Sequence, residues 1–304
     1  MRIIFMGTPD FAVSSLDALV QAGFNIVGVI TAPDKPAGRG QQLHESAVKK
    51  YAAEKGLHIL QPHKLKDPQF INDLKSLKAD LQVVVAFRML PEIVWNMPAK
   101  GTINLHASLL PQYRGAAPIN WAIINGEKTS GVTTFFLKHE IDTGDILFAE
   151  KVPIGEDETA GDLHDKLMTT GAELLVRTVK AIESGDYTET PQDNFTEANL
   201  KHAPKLFKED GLINWNLPAL TVYNRIRGMS PYPTAYTHIL GKSLKIFKAD
   251  LELANPEINP GKYQMDGKTF LRFACMDGFI SLRDVQLEGK KRMKIEEFLR
   301  GVRL

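Results

Sequence analysis

The first 150 residues alternate short apolar runs with amphipathic stretches, and this rhythm constrains the fold more than any other feature. Ile3 to Met6 is an apolar run ending at Gly7, and Ile26 to Ile30, His58 to Leu60, Leu81 to Ala86 and Ile103 to His106 are further strand-like runs. Between them, Phe11, Leu16, Leu19 and Val20 recur at helical spacing before Gly23. Ser46 to Lys55, closed by Gly56, and Asp67 to Leu77 read as two more helices. Thr8 is expected to cap the first helix, with Pro9 in its first position. Strands that alternate with helices imply βαβ units and an α/β, mainly parallel sheet covered on both faces. A later strand pair is expected at Val132 to Leu137 and Ile146 to Val152, followed by a long helix over Leu163 to Ser184.

The pattern changes after Gly185. The stretch Gly-Asp-Tyr-Thr-Glu-Thr-Pro-Gln-Asp-Asn is polar and reads as a linker. Beyond Lys205, short strands are expected at Tyr236 to Ile239, Ser243 to Ala249, Thr269 to Ala274 and Phe279 to Leu287, after a helix over Leu217 to Ile226. That spacing suggests a small β-barrel or sandwich. The chain therefore divides into a first domain over 1–188, a linker over 189–204 and a second domain over 205–304. Charge divides in the same place. Residues 205–304 carry 17 Lys and Arg against 11 Asp and Glu, while residues 1–204 carry 20 against 25. The overall +1 thus hides a basic module, which suits nucleic acid or merely solubility.

Other classes drop out on composition. A single cysteine, Cys275, rules out an intrachain disulfide framework and a four-cysteine zinc site. No apolar run approaches the length of a membrane span, and the MRIIFMG start is too short for a signal peptide. The eight histidines show no HxxH or HxxxH spacing, so no metal is expected. The turn Gly7-Thr-Pro-Asp-Phe-Ala12 has one glycine where a dinucleotide fingerprint needs three, and no P-loop is present.

The segment Ile103-Asn-Leu-His-Ala-Ser-Leu-Leu-Pro-Gln-Tyr-Arg-Gly-Ala-Ala-Pro118 carries the chemistry. Strand alternation puts Asn104 and His106 on one face, at the carboxyl end where open α/β sheets bind ligands. An amide donor beside an imidazole can steady an oxyanion. Asp142, in Glu140-Ile-Asp-Thr-Gly-Asp145, can complete the set with a carboxylate. Ser108 lies outside any Gly-x-Ser-x-Gly elbow, so a serine nucleophile does not fit.

Asn104-x-His106-x-Ser-Leu-Leu-Pro111, Tyr-Arg-Gly-Ala-Ala-Pro118 and Asp142-Thr-Gly144 together resemble the folate-dependent formyltransferases. Phe5-Met-Gly-Thr-Pro-Asp-Phe11, the loop Ala32 to Gly40, Ala203-Pro-Lys-Leu206 and Ile213-Asn-Trp215 extend the likeness to nearly the whole chain, and to the tRNA-directed members. The resemblance implies a Rossmann-like formyltransferase domain with an OB-like β-barrel behind it. It implies 10-formyltetrahydrofolate as donor and the methionine amino group of initiator methionyl-tRNA as acceptor; transfer between two nitrogens needs no metal, and a cytoplasmic protein is expected, with monomer as the default state. Its catalytic trio falls on Asn104, His106 and Asp142, with either Asp142 or His106 as the base. Its folate contacts fall on Ser108, Leu109, Leu110 and Pro111, on Phe87, Arg88, Met89 and Leu90, and on Ile141. The resemblance favours the basic loop with Lys35 and Arg39 as an arm for the acceptor end of tRNA; the cluster of Lys290, Lys291 and Arg292 near the C-terminal end suits, by its charge, either the tRNA backbone or solubility. This chain departs from the common pattern at Arg88 and Ala107, where glycine is frequent.

Overall fold

A computed structural model describes residues 1–37, 42–192 and 199–301. In chain order it begins with β1 (Arg2–Gly7), α1 (Asp10–Gln21), β2 (Asn25–Ile30), and a hairpin of β3 (Lys35–Ala37) and β4 (Gln42–His44). There follow α2 (Ala47–Glu54), β5 (Ile59–Leu60), α3 (Pro68–Ser76), β6 (Leu81–Val85), α4 (Glu92–Trp95) and β7 (Thr102–His106). Next come the two-residue β8 (Arg114–Gly115), α5 (Pro118–Ile124), β9 (Thr129–Phe136), β10 (Ile146–Pro153) and the long α6 (Ala160–Ser184). The remainder holds β11 (His202–Ala203), α7 (Ala219–Met229), β12 (Ala235–Ile239), β13 (Lys242–Leu253) and β14 (Tyr263–Met265). It ends with β15 (Leu271–Ala274), β16 (Gly278–Leu287), β17 (Met293–Lys294) and α8 (Ile295–Gly301).

Two compact units result. The first is built from Met1–Arg114, Gly131–Val152 and His164–His202, and the second from Gly115–Ser130, Pro153–Leu163 and Ala203–Leu304. A seven-stranded sheet in the order β10-β9-β7-β6-β1-β2-β5 organises the first unit. The pairs β5–β2, β2–β1, β1–β6 and β6–β7 are parallel, and β9 joins β7 antiparallel, so the sheet is mixed at one edge. Ile3 to Met6 and all of β6 are buried, as expected of central strands covered on both faces. The strand order reverses direction about β1, which makes the ends of β1, β6 and β7 the natural crevice for a ligand. Gly7 lets β1 run into α1: a Cβ there would lie 2.6 Å from that of Ala12.

The helix starts follow side-chain chemistry, with one correction. Ser46 Oγ accepts from Lys49 N at 3.0 Å and Asp67 accepts from Gln69 N at 2.9 Å, capping α2 and α3. Thr8, however, does not cap α1. Pro9 occupies the cap position without a side-chain bond, and Asp10 places a carboxylate in the first turn instead. The polar stretch after Gly185 also makes strand-like contacts with the first sheet. Thr190 and Ile146 exchange two backbone hydrogen bonds of 2.9 Å.

The second unit contains a six-stranded sheet running β12-β13-β16-β15-β14, with β17 beside β16. Its neighbouring strands pair antiparallel, and β13 and β16 pair from Leu244↔Leu287 to Leu253↔Gly278 with two register shifts that bend the ladder. This is an OB-like arrangement. Its core takes residues from α7 (Val222, Ile226, Met229), from the strands (Ile246, Phe273, Ile280) and from α8 (Ile295, Phe298). Trp215 stacks on Phe273 at 4.6 Å while its indole N–H donates to Thr237 Oγ1 at 3.0 Å, so its one polar atom is satisfied in the core.

Among the described residues no helix is long and apolar enough to cross a membrane. Cys275 is buried beside β15, and burial, with help from Asp277, pushes its thiol up to about 12. An unfolded thiol ionises near about 8.5. The raised value therefore supports the fold fully below about pH 8.5, and that support is lost as pH rises toward the folded value. Cys275 should resist alkylation at neutral pH until the chain is denatured. Denaturant midpoints should fall between about pH 9 and 11, and less steeply in Cys275→Ala.

Candidate active site

The site begins at the carboxyl end of β7. Asn104 pairs with Val84 on one side and Phe135 on the other, and His106 pairs with Thr133. Their alternation puts both side chains on one face. His106 is 7% exposed, and its Nε2 lies 2.9 Å from the backbone carbonyl of Tyr113. A carbonyl only accepts, so Nε2 carries a proton and donates. Nδ1 is thereby left to exchange protons, and it faces Asp142 Oδ2 at 3.8 Å. That separation exceeds a hydrogen bond, so the two interact by charge when Nδ1 is protonated.

Backbone conformation on both sides of the imidazole is unusual. Tyr113 and Asp142 have φ of 61° and 56°, in the left-handed region. Such residues cost roughly 1 to 3 kcal/mol each and persist where surrounding bonds over-determine them. Those bonds are present. The Ser108 hydroxyl donates to Gln112 O at 2.7 Å, Thr133 Oγ1 donates to Ser108 O at 2.7 Å, and Leu110 N donates to Thr133 Oγ1 at 3.2 Å. Tyr113 N donates to Lys201 O at 2.6 Å. Around Asp142, Thr143 Oγ1 donates to Glu140 O at 3.0 Å, and Phe136 N donates to Asp145 O at 3.1 Å.

The sequence-derived folate residues separate into two groups. Arg88, Met89 and Leu90 line a cavity of about 660 Å³ together with Leu65, Lys66, Pro91, Glu92 and Ile93. Arg88 is tied back by its guanidinium to the carbonyls of His63, at 3.0 Å, and Pro62. Phe87 is half-buried against the first unit's core, and Ser108 is fully buried with its hydroxyl committed to the turn. Leu109, Leu110, Pro111 and Ile141 are not among the residues lining that cavity; Ile141 is 57% exposed next to Asp142, and the Leu110–Pro111 peptide is cis.

Of the basic residues, Lys35 is exposed at the start of the β3–β4 hairpin, and Arg39 lies outside the described residues. Lys290 and Lys291 are exposed in the turn between β16 and β17. Arg292 is engaged within the fold: its Nε donates to Asp284 at 3.0 Å, and the guanidinium covers the Phe247 ring at 4.3 Å. No group of three or more His, Cys, Asp or Glu side chains suited to a metal occurs among the described residues.

The Tyr113 carbonyl had no signal in the sequence, because a backbone atom leaves no residue-type signature. Gly144 did, as part of Asp142-Thr-Gly144. A Cβ at Gly144 would lie 1.6 Å from Phe136 O, so the turn closes against β9 only with glycine. Gly144→Ala should displace the Asp142 loop. The clash should destabilise the variant by roughly 1 to 3 kcal/mol in denaturant unfolding, with the far-UV spectrum retained.

Residues 1–179 match the family model for formyl transferase, and residues 205–303 match that for the formyl transferase C-terminal domain. A methionyl-tRNA formyltransferase of Bacteroides fragilis is 53% identical over 310 residues, covering 100% of this chain and 96% of that protein. Its counterpart in Phocaeicola vulgatus is 55% identical over 311 residues, with the same coverage of 100% and 96%. Among solved structures, an N-formyltransferase from Helicobacter canadensis has a TM-score of 0.67 at 21% identity, over 96% of this chain and 99% of that one, a likeness of fold. With both halves matched, and with relatives more than half identical along the full chain, the chain belongs to the formyl transferase family and, within it, to the methionyl-tRNA formyltransferases.

Proposed function

We propose that the enzyme moves a formyl group from 10-formyltetrahydrofolate to the methionine amino group of initiator methionyl-tRNA, in the cytoplasm and as a monomer. The observation that carries this reading is the approach of Asp142 to His106 at the end of β7, with Asn104 two residues earlier on that strand, in a chain whose full-length relatives are named methionyl-tRNA formyltransferases. The cavity beside the loop after β6 suits the donor. Leu65, Met89, Leu90, Pro91 and Ile93 offer apolar walls to a flat ring, and Lys66 and Arg88 offer charge to a carboxylate-bearing tail.

Each member of the trio has a task in that reaction. The acceptor amine must shed a proton as its nitrogen bonds to the formyl carbon, and the departing nitrogen must gain one as its bond breaks. With Nε2 engaged by Tyr113 O, the nitrogen able to take that proton is His106 Nδ1. Asp142 then faces an imidazolium and stabilises it by charge. Asn104 aims its amide at the oxygen that turns negative in the tetrahedral intermediate, and protonated Nδ1 can add a second donor before returning its proton to the leaving nitrogen.

Residues 1–188 carry the chemistry in this account, and 205–304, reached through 189–204, contact tRNA. Lys290 and Lys291 bring exposed charge to the phosphate backbone, while Arg292 acts as a fixed cation, since Asp284 already holds it. Lys35 and Arg39 serve the acceptor end.

The direct test is a formylation assay with methionyl-tRNA and 10-formyltetrahydrofolate beside an elongator control. Asn104→Ala should lower kcat by roughly 10² to 10³, the cost of one oxyanion donor, and His106→Ala should lower it further with the fold intact. Near-normal turnover in His106→Ala would remove it from the mechanism. Arg39→Ala should raise KM for charged tRNA far more than for folate; equal effects on both would contradict its role.

A further inference from the structure

Gln192 is placed in the polar stretch that reads as a linker, yet its side chain is 4% exposed and spans two distant parts of the first unit. Its Nε2 donates to the carbonyl of Asp142 at 3.1 Å and to that of Gly144 at 2.6 Å. Its Oε1 accepts from Arg114 Nε at 3.2 Å and Nη2 at 2.7 Å. The amide can face only one way. A guanidinium has donors alone and must meet the oxygen, whereas two carbonyls have acceptors alone and must meet the nitrogen. Both N–H groups and both oxygen lone pairs are thereby used, which is the condition for a buried amide to hold a unique geometry.

The partners are the two segments that flank His106. Arg114 follows Tyr113, whose carbonyl holds the imidazole by Nε2. Asp142 presents its carboxylate to Nδ1 from a left-handed backbone, and Gln192 fixes the carbonyls on both sides of Thr143. The exchange of backbone bonds between Thr190 and Ile146 delivers Gln192 to this point. We propose that Gln192 is a positioning residue for the transfer reaction: it sets where the Asp142 carboxylate stands relative to His106 by locking the Asp142–Gly144 turn to the Tyr113–Arg114 segment. It touches neither substrate and acts through Asp142. The inference rests on the role proposed for Asp142 above.

Two variants of nearly equal size test it. Gln192→Met removes all four hydrogen bonds. Gln192→Glu keeps the pairing with Arg114 but turns a carboxylate oxygen toward two carbonyls, which repel it. In each, kcat should fall at least about tenfold, because misplacing a catalytic group by about 1 Å can cost 10² in rate. KM for both substrates should stay within about threefold, since neither substrate loses a contact. Thermal melting identifies the temperature at which each variant is folded, and kinetics are measured there; where Gln192→Met does not fold, Gln192→Glu carries the test. The decisive comparison uses the Asp142→Asn background. If Gln192 works through Asp142, adding either substitution to Asp142→Asn should change kcat by less than about threefold. Losses that multiply in the double variant, an unchanged kcat in the single variants, or a rise in KM alone would each overturn the proposal. The two ways of being wrong are separable. A wild-type kcat in Asp142→Asn alone defeats the reading of Asp142 and this inference with it. A large loss there beside normal kcat in the Gln192 variants defeats only the role of Gln192.

Discussion

The hydrogen bond from His106 Nε2 to the carbonyl of Tyr113 decides what the rest of the site can do. It assigns one ring nitrogen to structure and leaves the other for chemistry. A buried imidazole without such a bond would choose its tautomer by solvent access. Here the choice is made by a backbone carbonyl, which cannot titrate. The surrounding turn keeps that carbonyl in place: Ser108, Thr133 and Leu110 tie its start, Lys201 O takes the Tyr113 N–H, and Gln192 takes the Arg114 guanidinium. Left-handed backbone at Tyr113 and Asp142 is held in place by these bonds.

Much of the scaffold is legible in the sequence because its strands are buried on both faces. Ile3 to Met6 is a continuous apolar run, Leu81 to Val85 is broken only by Gln82, and α6 repeats its apolar residues at helical spacing through Leu163, Leu167, Leu174, Leu175, Val179 and Ile182. Strand alternation puts Asn104 and His106 on one face of β7, while the roles expected of them come from the resemblance. Asp142 needed the resemblance, because Asp-Thr-Gly is also an ordinary turn. The features that escaped sequence reasoning have a common cause. Tyr113 acts through its backbone, and Gln192 is buried by partners 48 to 78 residues away. The β3–β4 hairpin lies inside a loop rich in Gly and Pro, and α8 begins right after a basic cluster that drew attention to charge. Thr8 was displaced as a cap because Pro9 already holds that position.

Charge shows the same limit. The basic excess of residues 205–304 is real as a count, but a count does not say which cations are exposed. Asp284, 8% exposed, holds Arg292 and has Lys294 within 3.7 Å, so part of that excess is paired with a carboxylate of the same unit. Lys290, Lys291, Arg292 and Lys294 are all exposed, but Arg292 and Lys294 share the Asp284 carboxylate while Lys290 and Lys291 lie outside that pairing.

The central claim is the division of labour between the two nitrogens of His106, and nitrogen NMR of the ¹⁵N-histidine-labelled enzyme tests it directly. In the neutral imidazole the proton should sit on Nε2, and Nδ1 should be bare. Asp142→Asn should leave that tautomer unchanged, because the Tyr113 carbonyl sets it. A neutral His106 with its proton on Nδ1 would contradict the account, because the nitrogen assigned to proton transfer would then be occupied and the Tyr113 bond absent.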